Sequence, residues 1–352
     1  MLPDGLRVRF SATSVDICRQ PGSAACNSSL NGLSFVGGWH LTSSNAVFTQ
    51  LSSLNMRAAT DSDHLLSITD DGWWTILPRI IVHGENYATM LPMRSLDGST
   101  IEADGMLNDA EGVALDPTGA VLVSFEQTQR IWAYAGDNWT FTRSSAVDIG
   151  VASVLSLCNG ASGNHGVEAL DMLDESRLMA ICEGPPAGTA DATSTLGFLF
   201  NMSAPSTTRA STASRFQYHL NSGLSPTDLA RLPPYRTGEP RGVLVLERDY
   251  TPGVGNRIQI RYLRPDAIGS AAQSAGISGQ ISGQLSGQLL LSLQPSIHHT
   301  DNFEGLAIAP VASANSNEER VRLLLISDDN ANPSQRTLLC ACLNRAASPP
   351  SA

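Results

Sequence analysis

A short hairpin that opens and closes on an acidic residue recurs along this chain and limits the folds open to it. In the clearest copy Glu111-Gly112-Val113-Ala114-Leu115 passes through Asp116-Pro117-Thr118-Gly119 to Val121-Leu122-Val123-Ser124-Phe125-Glu126. A second copy opens at Glu168-Ala169-Leu170 and closes at Ile181-Cys182-Glu183, and a third opens at Glu304-Gly305-Leu306 and closes at Ile326-Ser327-Asp328. Two looser copies run from Asn31-Gly32-Leu33 to Ile68-Thr69-Asp70, and from Asp228-Leu229-Ala230 to Val245-Leu246-Glu247. Repeated hairpins with near-constant internal spacing are the mark of an all-β propeller.

The rest of the chain agrees. Short apolar runs such as Leu65–Thr69, Arg177–Ile181, Arg257–Leu263 and Thr337–Leu343 lie between Gly, Pro, Asn and Asp turns, as strands do. Only Pro226 to Leu232, behind a Ser225 cap, reads as a short helical turn. At about 40–45 residues per compact blade plus longer loops, the length predicts about six blades in a single domain spanning residues 1–345. A strand near Leu6–Phe10 and the strand Thr337–Leu343 are expected to share a blade and close the ring, which removes sheet edges. Residues 269–288, with three Ser-Gly-Gln copies, read as a flexible loop insertion, and residues 346–352 as a disordered tail.

Charge narrows the partners. The net charge is −11, and all 22 basic residues are arginine, with no lysine. An acidic chain without a basic cluster argues against nucleic acid and anionic membranes and fits a cation-binding protein. No apolar run approaches the length of a transmembrane helix. The chain is expected to act as a monomer on a small molecule.

None of the six cysteines forms a CxxC pair or a zinc spacing. Cys18 and Cys26 flank a turn short enough for a local bridge, and Cys158 and Cys182 could pair across adjacent strands. Cys340 and Cys342 share one strand face and are poorly placed to bond each other. An even count without a metal motif leans towards an oxidising compartment. The segment Met1–Gly5 has neither a basic start nor an apolar stretch and is not a signal peptide. Either the protein is cytoplasmic or an export signal lies upstream.

In a propeller the innermost strands line one axis, so acids at equivalent positions converge. Glu111, Glu168 and Glu304 are the expected inner ring, with Asn31 and Asp228 at related positions. Asp70, Glu126, Glu183, Glu247 and Asp328 form a second set at the ends of the adjacent strands. Crowded carboxylates need a cation or a proton. Oxygen donors in that number suit Ca2+, or Mg2+ or Mn2+ where water completes the sphere. Glu111, Glu168, Glu304, Asp70 and Asn31 are the candidate ligands, and Glu126, Glu183, Asp328 and His165 the candidate catalytic groups. Arg248 and Arg336, with Glu247, are candidates for substrate binding, the arginines through a bidentate grip on an anionic group. Each acid alone could equally cap its strand or pair with an arginine. No GxSxG elbow, P-loop or dinucleotide fingerprint is present.

These motifs also resemble a known family. Asp301-Asn302-Phe303-Glu304-Gly305-Leu306-Ala307, followed by Leu325-Ile326-Ser327-Asp328-Asp329-Asn330 and Gln335-Arg336-Thr337, is similar to the C-terminal signature of the bacterial "esterase-like activity of phytase" family. Leu66-Ser67-Ile68-Thr69-Asp70-Asp71-Gly72, Asp109-Ala110-Glu111-Gly112, Gly166-Val167-Glu168-Ala169-Leu170 and Val245-Leu246-Glu247-Arg248 resemble its earlier elements. The resemblance implies a propeller that is usually exported to the periplasm or cell surface, which favours an upstream signal. It points to metal-dependent hydrolysis of a phosphoester or related ester at an acid-lined channel. Two other readings stand beside it: a non-enzymatic propeller with a structural cation that binds a ligand or protein, and a lactonase like the gluconolactonase group. Asn31 departs from the family pattern, where an acid is usual.

Overall fold

The structure, a computed structural model, describes residues 4–56, 63–101, 105, 107–136, 139–158, 165–186, 193–202, 210–233, 242–273, 283–311 and 320–343. Two N-terminal strands, β1 (Leu6–Ser14) and β2 (Ser34–Thr42), precede the first hairpin set. The first blade runs outward from the axis through β3 (Leu51–Met56), β4 (His64–Thr69), β5 (Trp73–Pro78) and β6 (Gly84–Pro92). The second holds β7 (Ala110–Leu115), β8 (Val121–Phe125), β9 (Arg130–Tyr134) and β10 (Val147–Asp148). The third follows with β11 (Val167–Met172), β12 (Arg177–Cys182), β13 (Ser194–Met202) and β14 (Ala210–His219). The fourth has β15 (Ser225–Arg231), β16 (Val243–Thr251) and β17 (Gly255–Leu263); β18 (Gln284–Leu285) then adds to the third blade beside β14, and β19 (Gln288–Leu293) completes the fourth. The fifth contains β20 (Asn302–Val311), β21 (Arg320–Asp328) and β22 (Thr337–Leu343), with β2 as its outermost strand.

The inner strands β3, β7, β11, β15 and β20 neighbour one another in turn around a closed ring. Five apolar clusters fill the five wedges between adjacent blades. The described residues therefore form a five-bladed ring, where length alone led to an expectation of about six. Fifth strands on two blades and long connections take up the difference.

Both termini close the ring, but not as the sequence implied. β22 pairs with β2, whereas β1 pairs along its length with β6 of the first blade and touches β2 over Ser11–Ser14. One nine-stranded sheet thus runs through the outer edges of the first and fifth blades. β1 goes there because its inward residues Val8, Phe10 and Ala12 fill the wedge between those blades. Two disulfides, Cys18–Cys26 and Cys158–Cys182, are formed, and Cys340 and Cys342 are free and buried. Among the described residues, no helix is long and apolar enough to cross a membrane.

Two further expectations change. The segment after Ser225 is the inner strand β15 and not a helical turn. It is buried from Pro226 through Ala230, so no alternation marks it, and its proline lies beside a bulge where the pairing register shifts. Residues 269–288 are in part ordered: a helix spans Pro265–Gln273, and β18 and the start of β19 cover Gln284–Leu285 and Gln288. Residues 274–282 and 346–352 lie outside the described residues.

Near the axis the inner strands approach so closely that two positions exclude a side chain. A Cβ on Gly112 would lie 2.3 Å from the Glu168 carbonyl oxygen of β11, and one on Gly305 would lie 2.7 Å from the Ser53 carbonyl carbon of β3. The Glu-Gly pairs of the repeat are therefore a packing requirement. Side chains then tie the strands together. Asp228 of β15 accepts the backbone N–H of Leu306 (2.7 Å), Leu229 (2.8 Å) and Leu54 (3.3 Å), and so links three inner strands. Asp171 of β11 accepts the Arg231 N–H at 2.6 Å.

Asp228→Ala strands the buried N–H groups of Leu54 and Leu306, and at about 1–3 kcal/mol for each unsatisfied donor the expected loss is about 3 kcal/mol or more. Asp228→Asn keeps a carbonyl acceptor and should cost clearly less. Urea unfolding of the two variants measures the difference, and equal midpoints would remove Asp228 from this role.

Candidate functional site

Each inner strand carries a bulge near its start, and the bulge decides where the acids point. Pairing slips between Ala110 and Gly112, between Val167 and Ala169, and between Phe303 and Gly305. The residues left over are Glu111, Glu168 and Glu304. An extra residue in one strand turns its side chain out of the ladder, and these three are all at least nine-tenths buried at one end of the ring. Asp70, Glu126 and Glu183 directly follow β4, β8 and β12, and Asp328 closes β21, which brings them to the same end.

The resulting centre gathers most of the residues expected from sequence. Glu126, Glu168 and Glu183 each bring a carboxylate oxygen within 4.8 Å of the other two, and Asp109, Glu111 and Glu126 do the same. Glu126 belongs to both groups. It also accepts the Gly166 N–H at 2.8 Å. His165 Nδ1 lies 2.8 Å from Glu183 Oε2, with the imidazole one-third exposed at the rim. On the other side, Asn302 Nδ2 donates to Glu304 Oε1 (2.7 Å) and Asp328 Oδ2 (3.3 Å). Ser52 Oγ reaches Asp70 Oδ1 (2.7 Å) and Glu304 Oε2 (3.2 Å), while Arg248 Nη2 is 3.1 Å from Glu304 Oε1 and 3.7 Å from Glu183 Oε1. The two sides differ in what they lack. Glu304, Asp328 and Asp70 are held by protein donors, whereas Glu168 Oε2 and Asp109 Oδ2 are buried with no hydrogen-bond partner.

Three expected residues lie elsewhere. Asn31 is exposed, with φ 47, in the turn ahead of β2, at the far end of the outermost strand of its blade. Its Asn-Gly dipeptide is turn chemistry, and the inner strand of that hairpin is β3, whose acid-end positions hold Ser52 and Ser53. Glu247 points the opposite way from Arg248, as the strand period demands. It is fully buried in the wedge between the third and fourth blades, where it accepts from Tyr218 Oη (2.6 Å) and Arg261 Nε (2.9 Å). Arg336 stands beside the ring but is held by Asp301 Oδ2 (3.1 Å) and the Thr300 carbonyl (3.3 Å). Conversely, Asp109 and Ser52 join the centre without having been singled out as site residues. Asp109 sits two residues before Glu111 at φ 71, and the bulge sets its position.

The electrostatics are one-sided. Burial, reinforced by neighbouring acids, pushes the carboxyls of Glu111, Glu168 and Asp70 well above the ordinary range. Burial and then Glu183 lift Glu126 to about 7, and burial and then Glu304 lift Asp328 to about 8. The hydrogen bond to Glu183 raises the His165 pKa. Burial opposes the charge on Arg248, but Glu304, Glu168 and Glu183 outweigh it and hold the guanidinium firmly protonated. Oxygen-only donors in this number match hard cations such as calcium, magnesium or manganese. Glu168, with an unpartnered oxygen inside the group, fits such an ion.

The fold and the acid end define a propeller with a carboxylate-lined mouth. The chain belongs to the phytase-like family described as "esterase-like activity of phytase", whose model matches residues 46–331. No curated protein matches the sequence. Among solved structures the chain is similar to the Cps50 (Swd1) β-propeller domain of Myceliophteria thermophila, at 10% identity and TM-score 0.34 over 87% of this chain and 76% of that one. It is also similar to a luciferin-regenerating enzyme, at 11% identity and TM-score 0.37 over 84% and 93% of the two chains. A third likeness is the C-terminal WD40 domain of Sif2, at 8% identity and TM-score 0.32 over 86% and 75%. At these scores the likenesses add nothing to what the strand order shows.

With divalent ions chelated, the folded chain holds protons on Glu126 up to about pH 7 and on Asp328 up to about pH 8, whereas the unfolded chain releases its carboxyl protons near pH 4. The stability these two groups contribute is therefore full below that lower limit and declines as pH rises towards 8. The melting temperature in chelator should be lower at pH 8 than at pH 5, and a bound divalent cation should shrink the gap. A melting temperature that rises over that interval in chelator would contradict this electrostatic account.

Proposed function

We propose that this chain is a divalent-cation-dependent hydrolase of phosphoesters or related esters, with calcium as the first candidate ion. The observation that carries the reading is Glu168, whose Oε2 is buried and unpartnered and whose carboxylate lies within reach of those of Glu126 and Glu183. Burying that oxygen without a partner is costly, and a cation removes the cost. Glu126, Glu168 and Glu183 are the proposed ligands, with Asp109 and Glu111 alongside through the shared Glu126. A bound divalent ion supplies Lewis-acid polarisation of the ester oxygen and an acidified water.

The chain's own groups handle the protons. Water oxygen attacks the phosphorus or acyl carbon, the bond to the leaving oxygen breaks, and one proton must leave the water while one reaches the departing alkoxide. In this reading Asp109 takes the first, a role its free buried Oδ2 supports. His165 is placed to give the second: Glu183 engages Nδ1 and favours the imidazolium, so delivery falls to Nε2. The two disulfides support a periplasmic or extracellular setting.

Calorimetric titration with calcium, paired with hydrolysis assays on a phosphodiester and on a lactone, tests the reading. Wild type should bind calcium and turn over at least one ester in a chelator-sensitive way. Glu168→Gln should bind calcium at least about tenfold more weakly and lose turnover about a hundredfold. A wild type that binds no calcium, magnesium or manganese defeats the proposal. Calcium binding with no turnover of either class favours the binding propeller.

A further inference from the structure

The fourth blade breaks the pattern of the other acid-bearing blades. In β20 and β21 the ladder pairs Asn302 with Asp328 and Phe303 with Ser327, then slips before Gly305. In β15 and β16 it pairs Ser225 with Arg248 and Pro226 with Glu247, then slips before Asp228. Arg248 therefore occupies the place of Asp328, and Thr227 the place of Glu304. Among the described residues this blade donates no carboxylate to the mouth; it donates a guanidinium, among Asp70, Asp109, Glu111, Glu126, Glu168, Glu183, Glu304 and Asp328.

That guanidinium carries a donor that its ion pairs leave unused. Both of its ion pairs, to Glu304 and Glu183, are made through Nη2. Nε is buried and has no acceptor. A guanidinium presents its N–H groups as a planar fork matched to two oxygens of one anion. A buried donor left free at the edge of a reaction centre calls for an acceptor from outside the chain.

We propose that Arg248 is the substrate-recognition residue of this centre and receives a single oxyanion, so that the substrate is a monoanionic ester. The inference rests on the hydrolase reading above, because a cation among Glu126, Glu168 and Glu183 is what lets an anion approach this mouth. Arg130, which also acts on Asp109, is held by the Thr128 and Leu107 carbonyls, and the single fork of Arg248 suits one negative charge. A densely phosphorylated polyanion meets repulsion from the remaining acids, and the chain has no lysine to receive it. A neutral ester leaves the fork unused. The oxyanion has two sources, the phosphoryl group of a phosphodiester or a carboxylate elsewhere on the substrate.

Binding of dimethyl phosphate and of acetate to the full chain, measured by calorimetry with and without calcium, tests this apart from turnover. Wild type with calcium should bind at least one of the two anions; tighter dimethyl phosphate marks the phosphodiester, and tighter acetate the carboxylate. Arg248→Gln should weaken the bound anion at least about tenfold, and Arg248→Lys, which keeps charge but not the fork, should fall between. Both variants should keep wild-type circular dichroism and bind calcium at least as tightly as wild type. Should one fail to fold, the other carries the comparison, and failure of both makes Arg248 a structural counter-ion and overturns the assignment. Anion binding unchanged in Arg248→Gln, or no anion binding by wild type in either condition, also overturns it. Arg248-dependent binding without hydrolysis of any ester keeps the recognition role and removes the hydrolase reading.

Discussion

The crowding of five inner strands around one axis governs the rest of this molecule. Where β7 meets β11, and where β20 meets β3, there is no room for a Cβ, so glycine follows the acid at Gly112 and Gly305. The bulge beside each glycine relieves the ladder and turns the preceding glutamate out of the sheet. One backbone device therefore permits close approach and also builds the acid mouth. Asp228 and Asp171 then join neighbouring strands by accepting the backbone N–H groups of Leu54, Leu306 and Arg231.

The same geometry explains how much could be read from the chain. The copies at Glu111, Glu168 and Glu304 are legible because bulge, glycine or alanine, and closing acid recur at fixed spacing. Blades one and four carry the same bulge with serine or threonine in it, so no acid marks the bulge itself and only looser copies show. Asn31-Gly32 imitates the opening of the first blade because it is a turn dipeptide, although β3 begins some twenty residues later. β15 reads as a helical turn because a strand buried on both faces shows no alternation. Glu247 and Arg248 are neighbours in sequence with opposite fates, and only the register tells which one faces the mouth. Asp109 needed its left-handed backbone to be seen before its place beside Glu126 was evident.

Charge at the mouth is divided rather than uniform. On the side of the first and fifth blades, Ser52, Asn302 and Arg248 satisfy Asp70, Glu304 and Asp328. On the side of the second and third blades, the carboxyls crowd around Glu126, and two of their buried oxygens lack a partner. Protein donors balance the first side, while on the second Glu168 Oε2 and Asp109 Oδ2 are left to a cation or to protons. The proposed ion, with Glu126, Glu168 and Glu183 as its ligands, would belong to the second side, with His165 and Arg248 both reaching Glu183.

Anomalous diffraction from crystals grown with manganese tests this account most directly. The account predicts a manganese peak bounded by Glu126, Glu168 and Glu183, lost in Glu168→Gln crystals grown in the same way. A mouth without any peak at saturating manganese, or a peak only beside Glu304 and Asp328, would contradict it.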